Sequence, residues 1–186
     1  MTVAPQTVTR AATAYLGTFI FLAAWAMFAA ALLFAYGYLR LNAGAWPAVH
    51  SAPRLSRLLP FLNVLCLLLG GSALRYALGA RGENIGGKIL SRTLRFTASL
   101  GGVFLIFIGY LWHDLSNRGL SLSGDGNYGG TFFLLTGFYA FNVAIASLGM
   151  LIQSFRFSFE ATKRWSLFWD FISVGWVGVF FGLFIF

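Results

Sequence analysis

Charged residues are sparse along this chain, and the intervals between them predict its architecture. Residues 11–39 carry no charge. Such a run of about 29 is longer than the roughly 7–15-residue core of a cleavable signal and long enough to cross a bilayer. It predicts a first helix at about 14–40, ending in Tyr36-Gly37-Tyr38-Leu39-Arg40, aromatic and basic as an interface anchor should be. Trp46-Pro47 and Pro53 predict a loop. A second helix follows at about 58–79, uncharged from Leu58 to Leu74, with Pro60 tolerated in its first turn and Arg75 able to snorkel from its last turns.

The polar stretch from Arg81 to Lys88 cannot cross a bilayer and is expected in water. A third helix is predicted at about 94–115, and the glycine-rich Leu120–Asn127 separates it from a fourth at about 128–155. Arg156–Arg164 reads as a short loop, and Trp165–Phe186 as the fifth helix. The fold class is therefore all-α, a membrane-embedded bundle of five transmembrane helices forming one integral membrane domain over 1–186.

Composition agrees. The chain is 59% hydrophobic and 10% charged, against about one-quarter charged in a soluble domain. Its mean hydropathy is +0.78. Thirteen Lys+Arg against five Asp+Glu give +8, and their placement gives that excess a topological meaning. Alternate connections collect nine basic residues on one side, where Arg10, Arg75–Arg95 and Arg156–Arg164 lie, and four on the other, Arg40, Arg54, Arg57 and Arg118. Basic residues are retained on the cytoplasmic side, so the N-terminus is expected in the cytoplasm and the C-terminus outside. The same placement leaves no basic platform for nucleic acid.

Little in the chain suggests bond-making chemistry. A haem held between helices needs histidines inside the spans. The two histidines, His50 and His113, fall in the loop after helix 1 and at the outer end of helix 3. Cys66, the lone cysteine, cannot form an internal disulfide and lies in an apolar run, as a small core residue would. No Ser-His-Asp set, no carboxylate pair within a span and no phosphate-cradling loop can be assembled. No catalytic residue, cofactor ligand or metal ligand is assigned.

Ionisable and amide groups in the spans are weighed individually, because lipid tolerates few of them. Asp170 lies five residues into the fifth helix and is expected to pair with Lys163 or Arg164 at the interface. Asn63, Asn142 and Gln153 are expected to bond between helices. Gly178 and Gly182 form a small-xxx-small pair, as do Ala31 and Ala35, and Gly101, Gly102 and Gly109 thin one side of helix 3. These predict close helix packing and a docking face.

Four stretches resemble subunit III of haem-copper oxidases, the cytochrome c and quinol oxidases, in its five-helix form. Leu16–Phe28 leading to Arg40 is similar to the family's "FLASE-x-M-F-F" followed by "A-Y-x-x-x-R", and Pro60-Phe61-Leu62-Asn63 to its "P-x-x-N-T". Thr131–Phe138 matches "FFxLTGFHGxHV", and Phe159-Glu160-Ala161 with Trp169–Trp176 resemble "FEA" and "WHFVDVVW". The chain also departs from the pattern. Trp25 stands for the acid of "SE", Leu111 for an acid near the end of helix 3, Tyr139 and Asn142 for the histidines of "HGxH", and Asp170 and Ser173 for the His and Asp of the last motif.

The resemblance implies a non-catalytic accessory subunit of a bacterial inner-membrane respiratory oxidase. Haem and copper would reside in the partner catalytic subunit I, and other oxidase subunits and bound phospholipid would complete the assembly. Of the family's residues only Glu160 and the apolar framework carry over directly, and structural, lipid or partner contacts are expected at Trp25, Arg40, Asn63, Tyr139, Asn142, Glu160, Asp170, Gly178 and Gly182. An accessory subunit of a nitric oxide reductase and an independent small transporter remain alternatives, although no inverted repeat is visible.

Overall fold

The computed structural model describes residues 5–42, 55–79, 86–118, 127–156 and 158–185. They form α1 (Pro5–Asn42), α2 (Leu55–Gly79), α3 (Gly86–Asn117), α4 (Asn127–Arg156) and α5 (Phe159–Phe180), the last running into a π-helical turn, Phe181–Ile185. All five are long and apolar enough to cross a membrane.

Three helices begin earlier than hydropathy predicts. α1 starts at Pro5 rather than 14, and Pro at a helix start loses no hydrogen bond. α3 starts at Gly86 rather than 94 because its first turns are amphipathic. Leu90 and Leu94 are buried while Lys88, Arg92 and Arg95 stay exposed, and the Ser91 hydroxyl donates to the Ser154 carbonyl of α4. The expected loop at Arg156–Arg164 is largely helix: Ser158 caps α5, its side chain accepting from the Ala161 N–H, and Glu160 sits in the first turn, where an acid favours the helix dipole. Hydropathy marks where lipid ends, whereas a helix ends where its backbone bonds end.

Helices α2, α3, α4 and α5 close a ring, each packed on two neighbours, around Leu67, Leu74, Leu94, Phe104, Trp169 and Trp176. Indoles of α5 dock on backbone of α2: Trp169 Nε1 donates to Leu67 O at 2.9 Å and Trp176 Nε1 to Pro60 O at 3.4 Å. Polar tips buried in lipid need such partners. α1 stands outside the ring against α4 and α5. Only 6% of its most apolar window is buried, against 33–50% for the others, so α1 is the peripheral helix whose seam with the ring can admit another molecule.

Candidate lipid and partner site

Where α1 leans on α4 and α5, a cleft of about 710 Å³ opens between the three helices. Its walls are mostly apolar, with Gly17, Phe21 and Leu22 from α1, Ile145 from α4 and Phe168 from α5. Two polar groupings bracket it. At the end where α1 begins, the Tyr15 hydroxyl donates to Glu160 Oε2 at 2.6 Å, and Lys163 Nζ lies 3.7 Å from Glu160 Oε1. This ties α1 to the first turn of α5. Arg164, half-buried, lines the cleft beside that cluster.

At the other end Trp25 Nε1 donates to Asn142 Oδ1 at 2.6 Å, across 117 residues of sequence. Asn142 is 2% exposed, and its Nδ2 donates to the Phe138 carbonyl at 2.7 Å. Two departures from the family pattern thus meet. A neutral indole and amide satisfy each other where the pattern carries an acid and a histidine, and neither leaves a charge in lipid.

The other residues singled out from sequence scatter. Tyr139 is buried with its ring 5.8 Å from that of Trp176, and its hydroxyl lies over Gly175, where a Cβ would strike it. Asn63 is 1% exposed, and the expected interhelical bond is missing: neither of its amide atoms has a hydrogen-bond partner. Gln153 bonds the Ser158 carbonyl at the α4–α5 turn. Arg40 Nη1 donates to Gly182 O at 3.4 Å, tying the far end of α1 to the π turn.

Asp170 does not pair with Lys163 or Arg164. Its partner is Arg75 of α2, at 3.4 Å. Lys163 is seven residues back, about 10 Å along the helix axis, and is engaged by Glu160, whereas Arg75 stands across the α2–α5 seam. Because the Arg75 side chain is 61% exposed and that of Asp170 26%, Asp170→Asn is expected to change stability by less than about 1 kcal/mol and to leave turnover of an assembly intact. Thermal unfolding and turnover of the purified variant check both. A several-fold loss of turnover in a folded assembly would instead make Asp170 a proton-handling group.

The packing glycines also differ from those expected. Among the described residues nothing lies within 4 Å of a Cβ built at Gly178, Gly182, Gly102 or Gly109, and Ala31 and Ala35 are exposed. The tight contacts are at Gly70, Gly101, Gly149 and Gly175, which meet Trp169, Ser147, Trp165 and Tyr139. Of these, Gly101 was expected from the sequence; spacing missed Gly70, Gly149 and Gly175 because each answers to one bulky side chain on another helix. Tyr15, Arg75 and Arg164 were missed as site residues for the same reason.

Cofactor ligands have no comparable assembly. Among the described residues no three His, Cys, Asp or Glu side chains come together, and His113 is exposed at the end of α3 beside the Asn117 amide, 3.1 Å away. His50 lies outside the described residues.

Five helices long and apolar enough to cross a bilayer, several of them tied to one another by buried polar groups, define a multi-pass membrane protein. The chain matches the family described as cytochrome c oxidase subunit III over residues 7–186. It is 30% identical over 179 residues to "Cytochrome c oxidase subunit 3" of Corynebacterium diphtheriae, covering 88% of this chain and 83% of that protein. It is 28% identical over 173 residues to "Probable cytochrome c oxidase subunit 3" of Nocardia farcinica, with the same coverage. The match to "Cytochrome c oxidase subunit 3" of Marchantia polymorpha, 32% over 135 residues, spans 66% of this chain and 47% of that protein. The chain spans about half to two-thirds of the length of several such relatives. It belongs to the cytochrome c oxidase subunit III family, the subunit III family of the haem-copper oxidases.

Proposed function

We propose that this chain is the non-catalytic subunit III of a haem-copper terminal oxidase in an aerobic respiratory chain, lying in a bacterial cytoplasmic membrane with its N-terminus inside. The observation that carries the reading is family membership over nearly the whole chain. Haem and copper belong, in this reading, to the partner catalytic subunit, where they supply the oxygen chemistry. This chain contributes helix packing, a surface for other oxidase subunits and a seat for phospholipid. The nine-to-four division of basic residues supports the orientation.

The α1 cleft supports the lipid role. From Ala14 to Trp25 it follows α1 for about 11 residues, a rise of about 16 Å. That is close to half of a hydrocarbon core about 30 Å thick. Its walls suit an acyl chain, and Arg164, which forms no ion pair within 4 Å among the described residues although the Glu160 carboxylate feels its charge, suits a headgroup phosphate. Gly178 and Gly182, open on the chain's own outer face, suit close approach by a partner helix.

A mild-detergent pull-down from native membranes tests the reading. A many-helix partner with a reduced-minus-oxidised haem spectrum is the expected result, and oxygen turnover would set it apart from a nitric oxide reductase. A colourless, stable preparation without partners would contradict it.

A further inference from the structure

The α1 residues that line the cleft between α1, α4 and α5 run from Ala14 to Trp25 and end there. Trp25 lies near the middle of the apolar span Ala12–Asn42 and reaches across to α4. Its ring stacks on Phe21 at 5.4 Å and 21° and lies 5.3 Å from the ring of Phe138. Its N–H is held by Asn142, whose own amide is fixed to the Phe138 carbonyl. Swinging the indole aside would break a bond that lipid cannot replace and leave two polar groups bare. The plug is therefore stiff. One turn beyond it, Phe28 closes on Phe138 at 5.2 Å and Ala29 is buried, so the seam is sealed past the indole.

We propose that Trp25, braced by Asn142, is the floor of the cleft and sets the length of acyl chain that the cleft retains. The inference rests on the lipid reading above and adds a specificity-determining residue to it. A phospholipid anchored by its phosphate at Arg164 can lay a chain along Phe21 and Leu22 only until it meets the indole. Longer chains must bend out into the bilayer and lose wall contacts, so the retained pool is enriched in shorter chains. The chemistry required of the ligand is an anionic phosphate joined to a hydrocarbon chain, supplied by the surrounding membrane.

The test uses the protein in its native complex, reconstituted into vesicles of phosphatidylglycerol with even-numbered chains from lauroyl to arachidoyl, then re-extracted. Mass spectrometry of the retained lipid reads the chain-length distribution. The wild-type protein is expected to hold shorter chains several-fold above their share of the vesicle. Trp25→Ala opens about one helical turn, about 5.4 Å, and should move the retained maximum longer by about four carbons. Should the alanine variant not assemble, Trp25→Leu reads the same shift at about half the size. Gly17→Leu tests the underlying reading separately, because a Cβ at Gly17 meets nothing within 4 Å and the added side chain would fill the cleft without clashing. It should abolish retention while the complex stays assembled. An unchanged chain-length distribution in the Trp25 variants, with retention lost in Gly17→Leu, overturns the floor and leaves the lipid seat standing. Unchanged retention in Gly17→Leu overturns both.

Discussion

Trp169→Ala is expected to destabilise the bundle by about 3 kcal/mol. Trp169 is 0% exposed where three helices meet. A Cβ at Gly70 would stand 3.0 Å from its ring, one at Gly71 3.4 Å and one at Gly101 3.3 Å, so α2 and α3 present a glycine bed to an indole from α5. Glycines cannot move inward to fill the space the indole leaves, and the cavity would persist. In lipid the unfolded helices also bury their side chains in hydrocarbon, so the transfer term largely cancels. What remains is lost contact and cavity, which places the cost at the low end of the range for large aromatic truncations. The bond to Leu67 O disappears as well. Trp169→Phe, keeping most of the ring but no N–H, should lose about half as much. Denaturant titration of the purified protein in mixed micelles measures both, and equal midpoints for wild type and Trp169→Ala would refute the role assigned to the indole.

Gly149→Leu is expected to prevent the α4–α5 seam from closing, with little folded protein recovered, whereas Gly178→Leu should fold as the wild type does. A Cβ at Gly149 would run into the six-membered ring of Trp165, which is bordered by Phe168 at 6.1 Å between ring centroids and could yield only by swinging into the cleft it lines. Overpacking of this kind typically costs 1–3 kcal/mol, and here a whole isobutyl group must be accommodated. Gly178 faces open space. Its substitution acts, if at all, on a partner, so the two variants separate internal packing from assembly. Size-exclusion profiles of the isolated chain and of the complex make the comparison. A folded Gly149→Leu protein would show that the seam can repack, and a misfolded Gly178→Leu protein would show that its face is covered from within.

The five spans were legible in the sequence because in lipid each must be a long uncharged helix, and gaps between charges record that directly. The helix starts were less legible. Leu90 and Leu94 alternate with Lys88, Arg92 and Arg95 in a pattern that is helical and amphipathic, yet too polar to be counted as membrane span. Site residues were legible one at a time. Asn142 and Asp170 stood out as polar groups in apolar spans, and Trp25 and Glu160 through the family pattern, but their partners lie 117 residues away in the case of Trp25 and Asn142 and 145 in the case of Glu160 and Tyr15. Pairing depends on how each helix is rotated about its axis, and an almost uniformly apolar helix carries little pattern to record that rotation. The small-xxx-small pair at Gly178 and Gly182 shows the same difficulty. Gly175, a single turn earlier, is the one that Tyr139 covers.

In the proposed division of labour this chain packs and its partner reacts. The most direct measurement is to strip this chain from the purified complex with a harsher detergent and assay both fractions. All haem absorbance and copper should remain with the partner, which should still turn over oxygen but unfold at a lower temperature than the intact complex. Haem or copper travelling with this chain, or a partner equally stable without it, would contradict the account.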